Sequence, residues 1–119
     1  MYMQKEMRLT SSSDFANVRV LGNSWSDNFF VLAACRRVHF LINEDYQSRF
    51  GFVVSKKIGN AVVRNKCKRR MRESAKLLNV ITGYDIVFIA RRNASVASFQ
   101  EVCGSMSRLV DKADLSLVA

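Results

Sequence analysis

One segment constrains this chain more than any other. Between Ser55 and Lys76 stand nine basic residues, Lys56, Lys57, Arg64, Lys66, Lys68, Arg69, Arg70, Arg72 and Lys76, with a single acid, Glu73. The whole chain has 19 Lys+Arg and 10 Asp+Glu, a formal net charge of +9, so this segment holds nearly all of the excess. Wound as a helix at about 100° per residue, Val63, Cys67, Met71, Ser74 and Leu78 fall on one narrow line. Asn65, Lys68, Arg69, Arg72 and Lys76 take the opposite half. Arg64 and Ala75 flank the seam on one side, and Lys66, Arg70 and Leu77 on the other. Such a helix can bury only its seam, so the core must come from other elements. Like charges four apart (Arg64, Lys68, Arg72; Lys66, Arg70) repel by about a few tenths of a kcal/mol per pair. Uncompensated repulsion on an otherwise balanced chain points to a polyanionic partner.

The rest reads as scaffold. With 119 residues the chain is one domain's length. Hydrophobic residues make up 49% and proline is absent, which excludes wholesale disorder and polyproline motifs. Residues 1–10 read as an extended arm. Ser11, Ser12 and Ser13 are N-cap candidates for a short helix carrying Phe15, Val18 and Leu21, with Gly22 at its C-terminal end. Phe29 to Cys35 is an apolar run of strand length, and Asn23 to Asn28 a turn or short strand. Arg49 to Ser55 is a second long strand, with Phe50, Phe52 and Val54 on one face. Gly59 and Asn60 form the entry turn and N-cap of the basic helix, expected over Ala61 to about Val80. Tyr84 to Ala90 is a third strong strand. Arg91 to Ala94 is a loop, and a final helix, capped by Ser95 or Ser98, runs to about Lys112 on a stripe of Phe99, Val102, Met106, Leu109 and Val110. Residues 113–119 are a weakly determined tail. This order predicts a single-domain α+β fold, a small mixed sheet packed with about three helices.

Ordinary enzyme chemistry is not visible. The one histidine, His39, has no serine or cysteine partner in view, and no GxSxG, HExxH, GxGxxG or P-loop string occurs. Glu44-Asp45 reads as a loop pair. The cysteines, at 35, 67 and 103, form no CxxC pair and read as reduced thiols of a cytosolic protein. Cys67 lies among cations that would lower its pKa, yet sits on the seam and reads as core. No stretch approaches the ~20 apolar residues of a membrane span, and residues 1–10 hold no apolar core of a secretory signal. A basic helix lying on a membrane surface would need a bulkier apolar face. The remaining candidates are RNA or DNA binding. Four arginines among the cations can fork onto phosphate or stack on a base, and Asn65 adds a neutral donor and acceptor.

The string Ser55-Lys56-Lys57-Ile58-Gly59-Asn60-Ala61-Val62-Val63-Arg64-Asn65-Lys66-Cys67-Lys68-Arg69-Arg70-Met71-Arg72-Glu73 closely resembles the hallmark of the bacterial ribonuclease P protein family, SKK-[VI]-G-NAV followed by RN[RK]-x-KR-x-x-R. Arg8-Leu9 with Asp14-Phe15, and Tyr84 to Arg91, resemble flanking parts of the same family, so the likeness covers about residues 8–110. The resemblance implies an α+β domain similar to ones in a small-subunit ribosomal protein and elongation factor G, with a left-handed βαβ crossover around the basic helix. It implies a protein subunit that binds a large catalytic RNA and the 5′ leader of precursor tRNA. The RNA, with magnesium, removes the leader; catalytic residues on the protein are not expected. Arg64, Asn65, Lys66 and Arg69 would face the catalytic RNA, and Asn65 could meet a magnesium ion indirectly. Lys56 and Lys57 would contact phosphate, and Arg70 belongs to the same RNA-binding set. Phe15, Arg19, Val31 and Ala33 would line the leader cleft, with Lys68 and Arg72 on the leader side. Neither DNA, a membrane nor a protein oligomer is implied, and the setting is cytoplasmic.

Four departures stand out. Arg19 and Ala33 occupy positions where the family often has an aromatic, so the cleft lining is less aromatic and leader binding more electrostatic. Asn93 replaces a usual proline. Lys66 keeps the charge of a common arginine but not its fork. The alternative is a structural RNA-binding protein, such as a ribosomal protein, which would share the charge and size. Stimulation of precursor tRNA cleavage at low magnesium separates the two.

Overall fold

The computed structural model describes residues 7–37 and 47–117; His39, Glu44-Asp45, residues 1–6 of the arm and the last two residues lie outside them. Three helices and four strands form one domain: α1 (Ser12–Leu21), β1 (Asn23–Ser26), β2 (Phe30–Arg36), β3 (Arg49–Val53), α2 (Ala61–Ala75), β4 (Tyr84–Ala90) and α3 (Phe99–Lys112). The sheet runs β1-β2-β4-β3. β2 pairs antiparallel with β1 and β4, while β3 and β4 are parallel. Parallel neighbours need a crossover, and α2 is that crossover. The α+β expectation stands, with a mixed sheet.

The two sheet faces bury different partners. On one face Phe30, Leu32, Ala34, Phe50, Ile86 and Phe88 pack against Cys67, Met71 and Ala75 of α2 and Val102, Met106, Leu109 and Val110 of α3. Met71 is fully buried, worth about 1.5–3 kcal/mol for a side chain of its size. Cys67 and Ser74 are buried beside it, and Val63 and Leu78 partly so, so the angular reading of the seam holds. The second face carries a smaller cluster of Leu9, Val18, Ala33 and Val87 beneath α1.

Local signals set most ends. Asn60 Oδ1 accepts from Val63 N–H at 3.0 Å, capping α2. Ser98 and Glu101 form a reciprocal capping box at the start of α3. Gly22 ends α1 in extended backbone; a Cβ there would lie 2.5 Å from the carbonyl oxygens of Ala34 and Val18, so close approach, not a left-handed turn, calls for glycine.

Three expectations need correction. α2 stops at Ala75, not near Val80, because the next residues pair with the C-terminal segment. Val80 bridges Ser116, Ile81 N–H donates to Leu115 O and Leu117 N–H to Asn79 O. The same bonds tie down residues 115–117, and Leu115 is buried. Residues Arg92–Val96 form a 3-10 turn where a loop was expected. Phe99, placed on the buried stripe of α3, is exposed in the first helical turn. Among the described residues, no helix is long and apolar enough to cross a membrane.

Candidate nucleic-acid interface

The second sheet face is best read as rows across β2, β4 and β3, because register fixes which side chains stand abreast. Cys35, Asp85 and Arg49 form the first row, Ala33, Val87 and Gly51 the second, and Val31, Ile89 and Val53 the third. α1 crosses above them. The second row is buried throughout. The third row is only half-covered and forms an apolar floor beside the helix. Phe15, Ala16 and Arg19 of α1, with Thr10 and Ser12, close a hollow over Val53.

Phe15 also belongs to a neighbouring hollow. That one is lined by Arg8, Leu9, Thr10, Phe50, Phe52, Lys68 and Arg72. The arm builds its rim: Leu9 N–H donates to Phe50 O at 2.8 Å, and Arg8 bridges Phe50 along the open edge of β3. Phe50 and Phe52 lie nearly parallel, 9° apart with centroids 6.4 Å apart. A strand with flat bases and regular negative charge suits two adjoining hollows that mix aromatic and cationic walls.

The sequence-derived residues divide accordingly. Phe15 and Arg19 line the first hollow, and Lys68 and Arg72 the second. Val31 is half-buried in the floor row, whereas Ala33 lies under α1 in the small cluster and offers no open wall. Arg8, Phe52 and Val53 were missed as site residues. Period-two reading would have set Val53 on the face opposite Phe50 and Phe52; nothing local shows that the arm folds back along β3.

Lys56 and Lys57 are exposed in a 3-10 turn that leads into α2. Asn65, Lys66 and Arg69 are exposed along α2, and Arg64 is half-buried. Arg70 is partly committed to structure: its Nη1 donates to Ala97 O at 2.7 Å. Burial pushes the Cys67 thiol up, against the pull of Arg70, which agrees with its core reading.

At the first row the electrostatics are denser. Arg49 Nε and Nη2 donate to Asp85 Oδ1 and Oδ2, each at 2.8 Å. The Asp85 hydrogen bond raises the Arg49 pKa against burial, with the charges of Asp85 and Asp14 adding to the rise. Arg37 Nε lies 3.8 Å from Asp85 Oδ1. Burial pushes the nearby Cys35 thiol up, and the Asp85 charge pushes it further. Among the described residues, no three His, Cys, Asp or Glu side chains gather as metal ligands. Asn65 could offer a hydrated ion one neutral carbonyl.

A basic α+β domain with a cationic crossover helix beside an aromatic-walled groove has the surface chemistry of the polyanion-binding class. The comparisons narrow this. The family described as Ribonuclease P matches residues 3–114. The ribonuclease P protein component of Clostridium kluyveri is 38% identical over 112 residues, covering 91% of this chain and 95% of its own. That of Clostridioides difficile is 36% identical over 112 residues, covering 92% and 93%. Among solved structures, the Staphylococcus aureus ribonuclease P protein superposes with a TM-score of 0.79 at 31% identity, covering 93% of this chain and 98% of that one. The Thermotoga maritima protein gives 0.71 at 31% identity, covering 88% and 96%. The chain belongs to the ribonuclease P protein family, the protein components of a tRNA-processing ribonuclease.

Proposed function

We propose that this chain binds the catalytic RNA of ribonuclease P through Lys56, Lys57 and the exposed cations of α2. It holds the 5′ leader of precursor tRNA in the two hollows that meet at Phe15, and so assists magnesium-dependent removal of the leader. The RNA subunit carries out the hydrolysis. The observation that carries this reading is the shared wall. Phe15 lines both the apolar hollow beside Val53 and the hollow that holds Lys68 and Arg72. A single strand laid across it would stack on aromatic faces while its phosphates reach cations projecting from α2. Arg8 adds a third cation to that path.

Magnesium enters with the RNA, whose phosphates attract it. What the protein supplies is charge neutralisation, which lets two polyanions approach each other at lower magnesium. Work in the cytoplasm suits three free cysteines.

Reconstitution tests the proposal. Added to a bacterial ribonuclease P RNA at a few millimolar magnesium, the protein should strongly stimulate leader release and release nothing alone. Tight RNA binding without stimulation, even with the cognate RNA, would make it a structural RNA-binding protein instead.

A further inference from the structure

The leader groove depends on where the first turn of α1 lies, and that turn is weakly held from its own end. Its N-cap, Ser11, makes no side-chain cap bond. Beneath it, the Phe15 ring packs on the bare backbone of Gly51, an apolar contact without the directionality of a hydrogen bond or ion pair. Among the described residues, one directional contact joins this turn to β3. Asp14 Oδ2 lies 3.4 Å from Arg49 Nη1.

Arg49 is well suited to anchor it. Its other two nitrogens fork onto Asp85, which fixes the guanidinium plane. Asp85 is buried, and is the register partner of Arg49 in the parallel pair. The sheet therefore sets the position of the third nitrogen, and Asp14 immediately precedes Phe15. The pair is mostly covered, with side-chain exposures of 22% for Arg49 and 29% for Asp14, so solvent screens it only in part.

We propose that Arg49 is a positioning residue for leader binding: through Asp14 it sets the first turn of α1, and with it Phe15 and Arg19, over the sheet. This rests on the leader-binding reading above. Arg49 touches no RNA in this role.

The test uses holoenzyme reconstituted with a bacterial ribonuclease P RNA. Precursor affinity is measured with a long leader and with a leader trimmed to a single nucleotide; the ratio is the leader's contribution. Asp14→Asn and Arg49→Lys should each lower that ratio by about threefold or more, the size of one partly screened ion pair. Affinity for the trimmed substrate and for the RNA subunit should stay unchanged. Asp14→Glu, which keeps the charge, should recover most of the ratio. An unchanged ratio, or equal weakening with both substrates, would overturn the inference. A wild-type protein with no leader preference would overturn the leader reading together with it. A wild-type preference that Asp14→Asn leaves intact would overturn this inference alone.

Discussion

The Phe15 ring rests directly on the backbone of Gly51: a Cβ built at Gly51 would lie 2.5 Å from Phe15 Cε1 and 2.7 Å from Cζ. No side chain fits there unless the ring swings away. Gly51→Ala should therefore move Phe15 out of both hollows and weaken binding of long-leader substrate. The fold should lose only about 1 kcal/mol, because the displaced group is the free end of a side chain. Thermal melts and the leader-length affinity ratio check this together. A large drop in Tm with the ratio intact would show that Phe15 serves the core and not the leader.

The cations of α2 differ in what they do for the fold. Lys66 and Arg69 are exposed, so Lys66→Ala and Arg69→Ala should weaken RNA binding while Tm stays put. Arg70 donates to Ala97 O. Arg70→Ala should cost about 1 kcal/mol of stability as well, the net worth of such a bond. Denaturant midpoints set beside filter-binding affinities separate the two kinds. Equal destabilisation by Arg69→Ala would mark Arg69 as structural.

Binding should weaken steeply with salt. About five phosphate contacts give a log–log slope of affinity against salt near −3.5 to −4.5. Titration of the protein–RNA affinity from low to high potassium chloride measures it. A flat response would remove the electrostatic account of α2.

Strong acid should weaken the β1–β2 connection. Burial works against the charge on Asp27, but its hydrogen bonds from Ser105 Oγ and the Phe30 and Phe29 N–H groups, with Arg108 nearby, outweigh it. Its pKa is lowered below the ordinary 3.8. The ionised form thus favours the folded state. That contribution is complete above the unfolded pKa and is lost as pH falls through the lower folded value. Asp27→Asn should lower Tm at neutral pH, and its gap from wild type should close only in strong acid. A gap independent of pH would mean the asparagine fails for reasons of packing.

Loss of the α2 cap should couple stability to binding. Asn60→Ala removes the bond to Val63 N–H and should cost about 1 kcal/mol. Frayed residues would include Arg64 and Asn65, so RNA affinity should fall too. Hydrogen exchange at residues 61–65 would report the fraying.

Much of this was legible locally. The seam of α2, its cap at Asn60, the strand Tyr84–Ala90 and the shared face of Phe50 and Phe52 all follow from rules that act within one turn or one strand. The charge of residues 55–76 by itself points to a polyanionic partner. The hallmark string fixed the family, because so many functional positions lie in one ungapped segment.

Tertiary structure decided what depends on distance along the chain. The end of α2 was misread because Asn79–Ile81 pair with residues more than thirty positions later, and no local propensity carries that. Ala33 was placed in the cleft, yet α1 covers its row and leaves Val31, Ile89 and Val53 open; which row a crossing helix covers is set by packing, not by alternation. The fork of Arg49 onto Asp85 likewise joins residues 36 apart in sequence, brought abreast only by parallel register. The sequence determined which faces must be buried and which charges must be shown. The structure decided which of those faces meet, because docking energy comes from surfaces that local rules never bring together.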